Sequence, residues 1–108
     1  MKTGNAREAM SHYRISIKLK PEHARTYYNL GNALLSIKKT AEAISYYKTA
    51  IKLRPGYAEA HNNLGNALVA GGKTEEAITH YRVAIKFKPG FAMAQNNLEI
   101  AISKLDKQ

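Results

Sequence analysis

Apolar residues recur at helical spacing along most of the chain. Tyr27, Leu30, Leu34 and Ile37 fall at i, i+3, i+7 and i+10, and Ala43, Ile44, Tyr47, Ala50 and Ile51 mark a second stripe. Each stripe keeps one face of a 3.6-residue period apolar, which predicts two amphipathic helices. Lys38, Lys39 and Thr40 separate them, leaving room for only a tight turn. The whole pattern then repeats without a gap, because aligning residues 24–57 with 58–91 gives 18 identities in 34 positions. A fixed stride of this length is the mark of an array in which each helix pair buries its apolar face on its neighbours.

Turn chemistry fits the same frame. Gly71, Gly72, Lys73 and Thr74 occupy the turn of the second copy, where Gly permits a left-handed residue and Thr74 is placed to cap the next helix. Lys38 stands where Gly72 stands, so a positive φ at that position strains the first turn by about 1 kcal/mol. Pro21, Pro55 and Pro89 recur at the same stride and mark the joints, since proline lacks the N–H that continues a helix.

The residues read Tyr27-x2-Leu30-Gly31-x2-Leu34, then Ala43-x3-Tyr47, then Pro55, and again His61-x2-Leu64-Gly65-x2-Leu68, Ala77-x3-Tyr81, Pro89. This resembles the tetratricopeptide repeat, whose signature is W-x2-L-G-x2-Y, A-x3-F and P over 34 residues. The repeats are most similar to those of O-linked N-acetylglucosamine transferase and of bacterial tetratricopeptide proteins. Ala9-x3-Tyr13 with Pro21 supplies a second helix alone, and Gln95-x2-Leu98-Glu99-x2-Ile102 a first helix alone. The resemblance implies an all-α, right-handed solenoid of antiparallel helix pairs. Its six helices run B-A-B-A-B-A in one domain over 1–108: a half repeat at 5–20, repeats at 24–57 and 58–91, and a capping helix at 92–106. Glu99 replaces Gly31 and Gly65 and is expected in solvent, because an unpaired carboxylate is costly to bury. The N-terminal end shows no such polar adaptation, so the reading is either a piece of a longer array or an end open to self-association as a homo-oligomer.

By the same resemblance the first helices line a concave groove that takes partners. Those helices carry Asn29, Asn63 and Asn97 at one register, Asn32 and Asn66 three residues on, and Asn62 and Asn96 beside them. A carboxamide offers both donors and an acceptor, so a row of them can bond the backbone of an extended peptide whatever its side chains. Arg25, Tyr28 and Asn62 are expected to shape the mouth, with Tyr28 free to face a ligand. The alternative is that the amides bond helix to helix. The family's carboxylate clamp for chaperone tails is matched at Asn32 and Asn63, but Tyr28, Met93 and Asn97 stand where it has cations, and charge-assisted bonds supply most of that grip.

Charge enters next. Seventeen basic residues against eight acidic leave +9, which raises nucleic acid or anionic membrane as a partner. Nine of the cations are periodic: Arg14, Lys48 and Arg82; Lys18, Lys52 and Lys86; Lys20, Arg54 and Lys88. They belong to second helices, expected on the convex side. They could contact phosphates, although no aromatic residue interleaves among them for base stacking and a solvated face explains them as well.

The remaining chemistry is sparse. Four histidines show no second ligand at i+3 or i+4, so no metal or cofactor is expected; His61 takes the packing place of Tyr27, and His12 shares a register with His80. Glu42 and Glu76 suit the N-terminal ends of second helices. Tyr13, Tyr47 and Tyr81 read as core, with Tyr57 and Phe91 as joint fillers. With no cysteine, no apolar run long enough to span a bilayer and no hydrophobic leader at Met1-Lys2-Thr3-Gly4-Asn5, the expectation is a soluble cytoplasmic chain. Functionally the sequence points to a non-catalytic module for protein–protein contact. The alternatives are the electrostatic binder and a spacer or substrate-recruiting piece of a larger enzyme.

Overall fold

A computed structural model of the chain describes residues 3–107, with side chains from Asn5 onward. Met1 and Lys2, part of the stretch read as carrying no secretory leader, lie outside the described residues. The described residues form six α-helices: α1 (Thr3–Leu19), α2 (Ala24–Ser36), α3 (Thr40–Leu53), α4 (Ala58–Ala70), α5 (Thr74–Phe87) and α6 (Ala92–Asp106). No strand occurs among them. The chain divides into two compact units, Met1–Pro55 with α1 to α3 and Gly56–Gln108 with α4 to α6.

In the first unit α2 packs on both α1 and α3. Leu30, Ala33 and Leu34 of α2 meet Ala43, Tyr47 and Ala50 of α3, all buried, and Ala6 and Met10 are the buried apolar residues of α1. In the second unit α5 packs on α4 and α6, and α4 also touches α6. Leu64, Leu68, Tyr81, Ala77 and Ala84 are fully or almost fully buried there, with Ala94 and Ala101 from α6. Alanine at so many core positions lets the helices approach closely, leaving the large side chains to fill what remains.

The helices end as their sequences dictate. After α2 the amide of Lys39 bonds the carbonyl of Leu34 at 2.9 Å and that of Lys38 bonds Leu35 at 3.0 Å; after α4, Lys73 bonds Leu68 at 2.7 Å and Gly72 bonds Val69 at 3.0 Å. This is the six-to-one, five-to-two pattern that closes a helix through a left-handed residue. That residue is Lys38 at φ 63° in one turn and Gly72 at φ 80° in the other. Thr74, expected to cap α5, instead forms its first residue; Lys73 is the cap and donates no side-chain bond. The αL turn has already fixed where α5 begins, so the threonine falls one position late.

The second helices stop two residues short of each proline. Arg54 before Pro55 and Lys88 before Pro89 are extended, at φ −142° and −140°, because the proline ring excludes the helical conformation from its predecessor. The joint is then tied to the next helix. The Tyr27 hydroxyl donates to the carbonyl of Pro21 at 2.8 Å, and Gln95 Nε2 donates to that of Pro89 at 2.8 Å, from the same repeat position. Tyr57 is buried, whereas Tyr13 and Phe91, also read as core, are half-buried. Glu99 is exposed, as expected.

Candidate functional site: the amide faces of the first helices

Each first helix carries its candidate residues on one stripe, at spacings of three and four residues that share a helical face. On α2 the stripe is Arg25, Tyr28, Asn29 and Asn32; on α4 it is Glu59, Asn62, Asn63 and Asn66; on α6 it is Met93, Asn96, Asn97 and Ile100.

The register three residues on is engaged by the scaffold in both complete repeats. Tyr47 Oη donates to Asn32 Oδ1 at 2.5 Å, and Tyr81 Oη donates to Asn66 Oδ1 at 2.6 Å. Each tyrosine reaches its asparagine because a glycine precedes the asparagine. An added Cβ at Gly31 would lie 2.7 Å from Tyr47 Cε1, and one at Gly65 would meet Tyr81 Cε1 closer still. The ring thus lies against bare backbone with its hydroxyl beyond the edge of the helix, on an amide. Burial pushes the Tyr81 phenol up from 10.0 to about 12, since the anion would lose its water.

In the second unit three further amides form a chain. Asn97 Nδ2 donates to Asn62 Oδ1 at 3.0 Å, and Asn62 Nδ2 donates to Asn63 Oδ1 at 3.2 Å. Asn62 is 1% exposed. It therefore joins α6 to α4 and does not shape the mouth of a groove, which corrects the reading of its sequence position. A buried carboxamide left without partners would cost about 1–3 kcal/mol, so the chain is structural as well as polar. Tyr28 is also more engaged than expected: it is half-buried with its ring tilted by 51° against Tyr47, centroids 6.2 Å apart.

Apart from Asn62 the set divides by exposure. Arg25 and Asn96 are exposed, and Asn29, Asn63, Asn66 and Asn97 are half-buried. Met93 and Ile100 on α6 are 63% and 49% exposed, so the α6 stripe alternates amide and apolar surface. The nine periodic cations, Arg14, Lys18, Lys20, Lys48, Lys52, Arg54, Arg82, Lys86 and Lys88, are all exposed. Lys88 lies 3.6 Å from Glu59 and 4.5 Å from the centre of the Phe91 ring, and Lys86 sits 5.9 Å from that of the exposed Phe87. Aromatic rings do stand among the last of these cations, which corrects the expectation that none interleaves.

One arrangement escaped the sequence reading. His61 of α4 and His80 of α5 lie with their Nδ1 atoms 3.1 Å apart. The signal was present as a paired change, because Tyr27 and Tyr46 occupy the same two positions one repeat earlier and their rings stack at 6.3 Å. Among the described residues no three His, Cys, Asp or Glu side chains gather as metal ligands, and no helix is long and apolar enough to cross a membrane. Two shallow depressions, of about 290 and 260 Å³, take in none of the amides.

Comparison with known families and structures accords with this geometry. A family model described as tetratricopeptide repeat matches residues 24–57, a second described as TPR repeat matches 65–105, and a third described as tetratricopeptide repeat matches 46–79. A search of curated proteins gave no match. Among solved structures the chain is similar to the first TPR of Spaghetti bound to an HSP90 peptide, at TM-score 0.92 and 28% identity over 95% of this chain and 82% of that one. It is similar to MamA at TM-score 0.89 and 30% identity, covering 94% of this chain and 59% of that one. It is also similar to a mutant O-GlcNAc transferase of Thermobaculum terrenum at TM-score 0.86 and 27% identity, covering 93% of this chain but only 19% of the transferase.

Proposed function

The chain belongs to the tetratricopeptide repeat family, and on that footing we propose that it is a non-catalytic protein–protein interaction module that holds an extended peptide or partner segment on the amide faces of its first helices. The observation that carries this reading is the division of labour among the asparagines. Asn32 and Asn66 lock the core tyrosines, and Asn62 links α4 to α6. Asn29 lies half-buried on the α2 stripe and Asn96 exposed on the α6 stripe, and Asn97 enters the amide chain as a donor. Within one helix the backbone holds successive amides at fixed spacing, which suits main-chain recognition because less ordering entropy is lost on binding. The likeness to the Spaghetti domain, solved with a peptide, supports the class of partner. Tyr28, Met93 and Asn97, standing where a carboxylate clamp has cations, direct the reading away from an acidic chaperone tail.

The reading is tested by panning a random-peptide display library on the intact chain and measuring the selected peptides against the Arg25→Ala, Asn29→Ala, Asn96→Ala variant. Affinity is expected to fall at least tenfold, or about 1.4 kcal/mol, with melting unchanged. Peptides that bind the variant as well as the parent would place recognition elsewhere. A second reading, phosphate binding by the nine exposed cations, is favoured by the charge of +9. It separates by salt: phosphate binding should weaken by a factor of about 10³ or more between about 50 and 200 mM salt, whereas amide-mediated binding should hold. The further possibility that the chain recruits substrate for a larger enzyme rests on its likeness to part of the transferase.

A further inference from the structure

Where the first repeat stacks two tyrosines, the second joins two histidines. The rings of His61 and His80 are inclined by 25° with centroids 5.3 Å apart, yet their Nδ1 atoms are 3.1 Å apart. The nitrogens are closer than the ring centres by almost two ring radii, so they lie near the line joining the centres and face one another. Two imidazole nitrogens can meet in this way only if one carries hydrogen and the other a lone pair. His61 is 5% exposed, so water cannot readily take the place of its partner.

We infer that the His61–His80 contact counts protons and makes the packing of α4 on α5 sensitive to pH, a property separate from the peptide-binding reading. At neutral pH one proton lies between the two Nδ1 atoms. A first added proton can occupy an Nε2 and leave the contact intact, now assisted by charge. A second must place hydrogen on both Nδ1 atoms, so that two cationic N–H groups point at each other and the contact opens. The folded unit therefore binds one proton fewer than the unfolded chain once the pH falls below the ordinary histidine value of about 6.5. Its stability is complete above that value and declines below it, by a factor of about ten per pH unit.

The neighbouring groups do not supply this behaviour. Glu76 stands one turn before His80 on α5, where a carboxylate favours the first added proton but does not relieve the second. Tyr57 stands one turn before His61 and stays neutral in acid. The charged groups of α6, which packs on both helices, are Glu99, Lys104 and Asp106, all exposed. The first unit is an internal reference, since tyrosines, Tyr27 and Tyr46, stand there in place of the two histidines.

The test is amide hydrogen exchange with imidazole nitrogen NMR on the intact chain, from about pH 7.5 to about pH 5 across the histidine range. Expected are one Nδ1–H and one Nδ1 acceptor at neutral pH, and protection in α4 and α5 that falls about tenfold per pH unit below about 6.5 while α2 and α3 hold theirs. The variant His61→Tyr, His80→Tyr, which copies the first repeat, should lose that dependence, and Glu76→Gln should keep it. Both rings charging together without loss of protection would overturn the inference. So would a slope that survives in the double-tyrosine variant or disappears in Glu76→Gln. If the double-tyrosine variant does not fold, the parent chain's imidazole titration decides alone.

Discussion

The ring of Tyr47 lies against the bare Cα of Gly31, so close that a methyl group there would sit 2.7 Å from Cε1. Tyr47 is fully buried and anchored through its hydroxyl to Asn32, so it cannot swing away. Gly31→Ala should therefore destabilise the chain by about 1–3 kcal/mol, even though alanine is the better helix former by about 1 kcal/mol. Gly65→Ala should behave likewise against Tyr81. Urea unfolding measures both, and a gain in stability from either would show that the ring yields.

The tyrosine–amide bond predicts an asymmetry. Asn66→Ala leaves the Tyr81 hydroxyl buried without its acceptor, at a cost of about 1–3 kcal/mol, whereas Tyr81→Phe removes the hydroxyl itself and should cost about 1 kcal/mol. The double variant should cost less than the sum of the two. A double-mutant cycle by chemical denaturation reads the coupling directly, and additivity would deny it.

Alkaline pH probes the same residue. With the Tyr81 phenol raised to about 12 by burial, the folded chain resists its ionisation while the unfolded chain ionises near 10. The stability this contributes is fully present below pH 10 and is lost as the pH rises through 12. Tyrosinate absorbance, compared between the parent and Tyr81→Phe, should show the loss of one phenol that titrates at about 12.

Lys38 holds φ 63° where its counterpart Gly72 holds φ 80°. A side chain in that region costs about 1–2 kcal/mol, and replacing it with glycine returns part of the gain as unfolded-state entropy. Lys38→Gly should thus stabilise the first unit, by up to about 1 kcal/mol, and Gly72→Lys should weaken the second. Thermal melting of the two single variants is sufficient to rank them.

The periodic part of the molecule was readable before any coordinates. Leu30, Leu34, Tyr47 and their counterparts recur because each helix must bury one face, and the prolines recur because each pair must end. The left-handed turn was readable for the same reason, at Lys38 as at Gly72. The site was less so, because a carboxamide has two ends and the sequence does not say what either one meets. Asn62 looked like its neighbours and proved to be a buried link; Tyr28 looked free and proved to pack on Tyr47. The histidine contact is not legible in either histidine alone, because its meaning lies in two positions, nineteen apart in sequence but adjacent in space, that change together from Tyr27 and Tyr46 to His61 and His80.

The bonds from Tyr27 to Pro21 and from Gln95 to Pro89 carry a wider consequence. A phenol and a carboxamide, unrelated in shape and polarity, fasten the same hinge because each extends a hydrogen far enough to reach one oxygen. What inheritance must preserve at that place is a reach and a donor, so the letters there can drift while the bend they secure stays put.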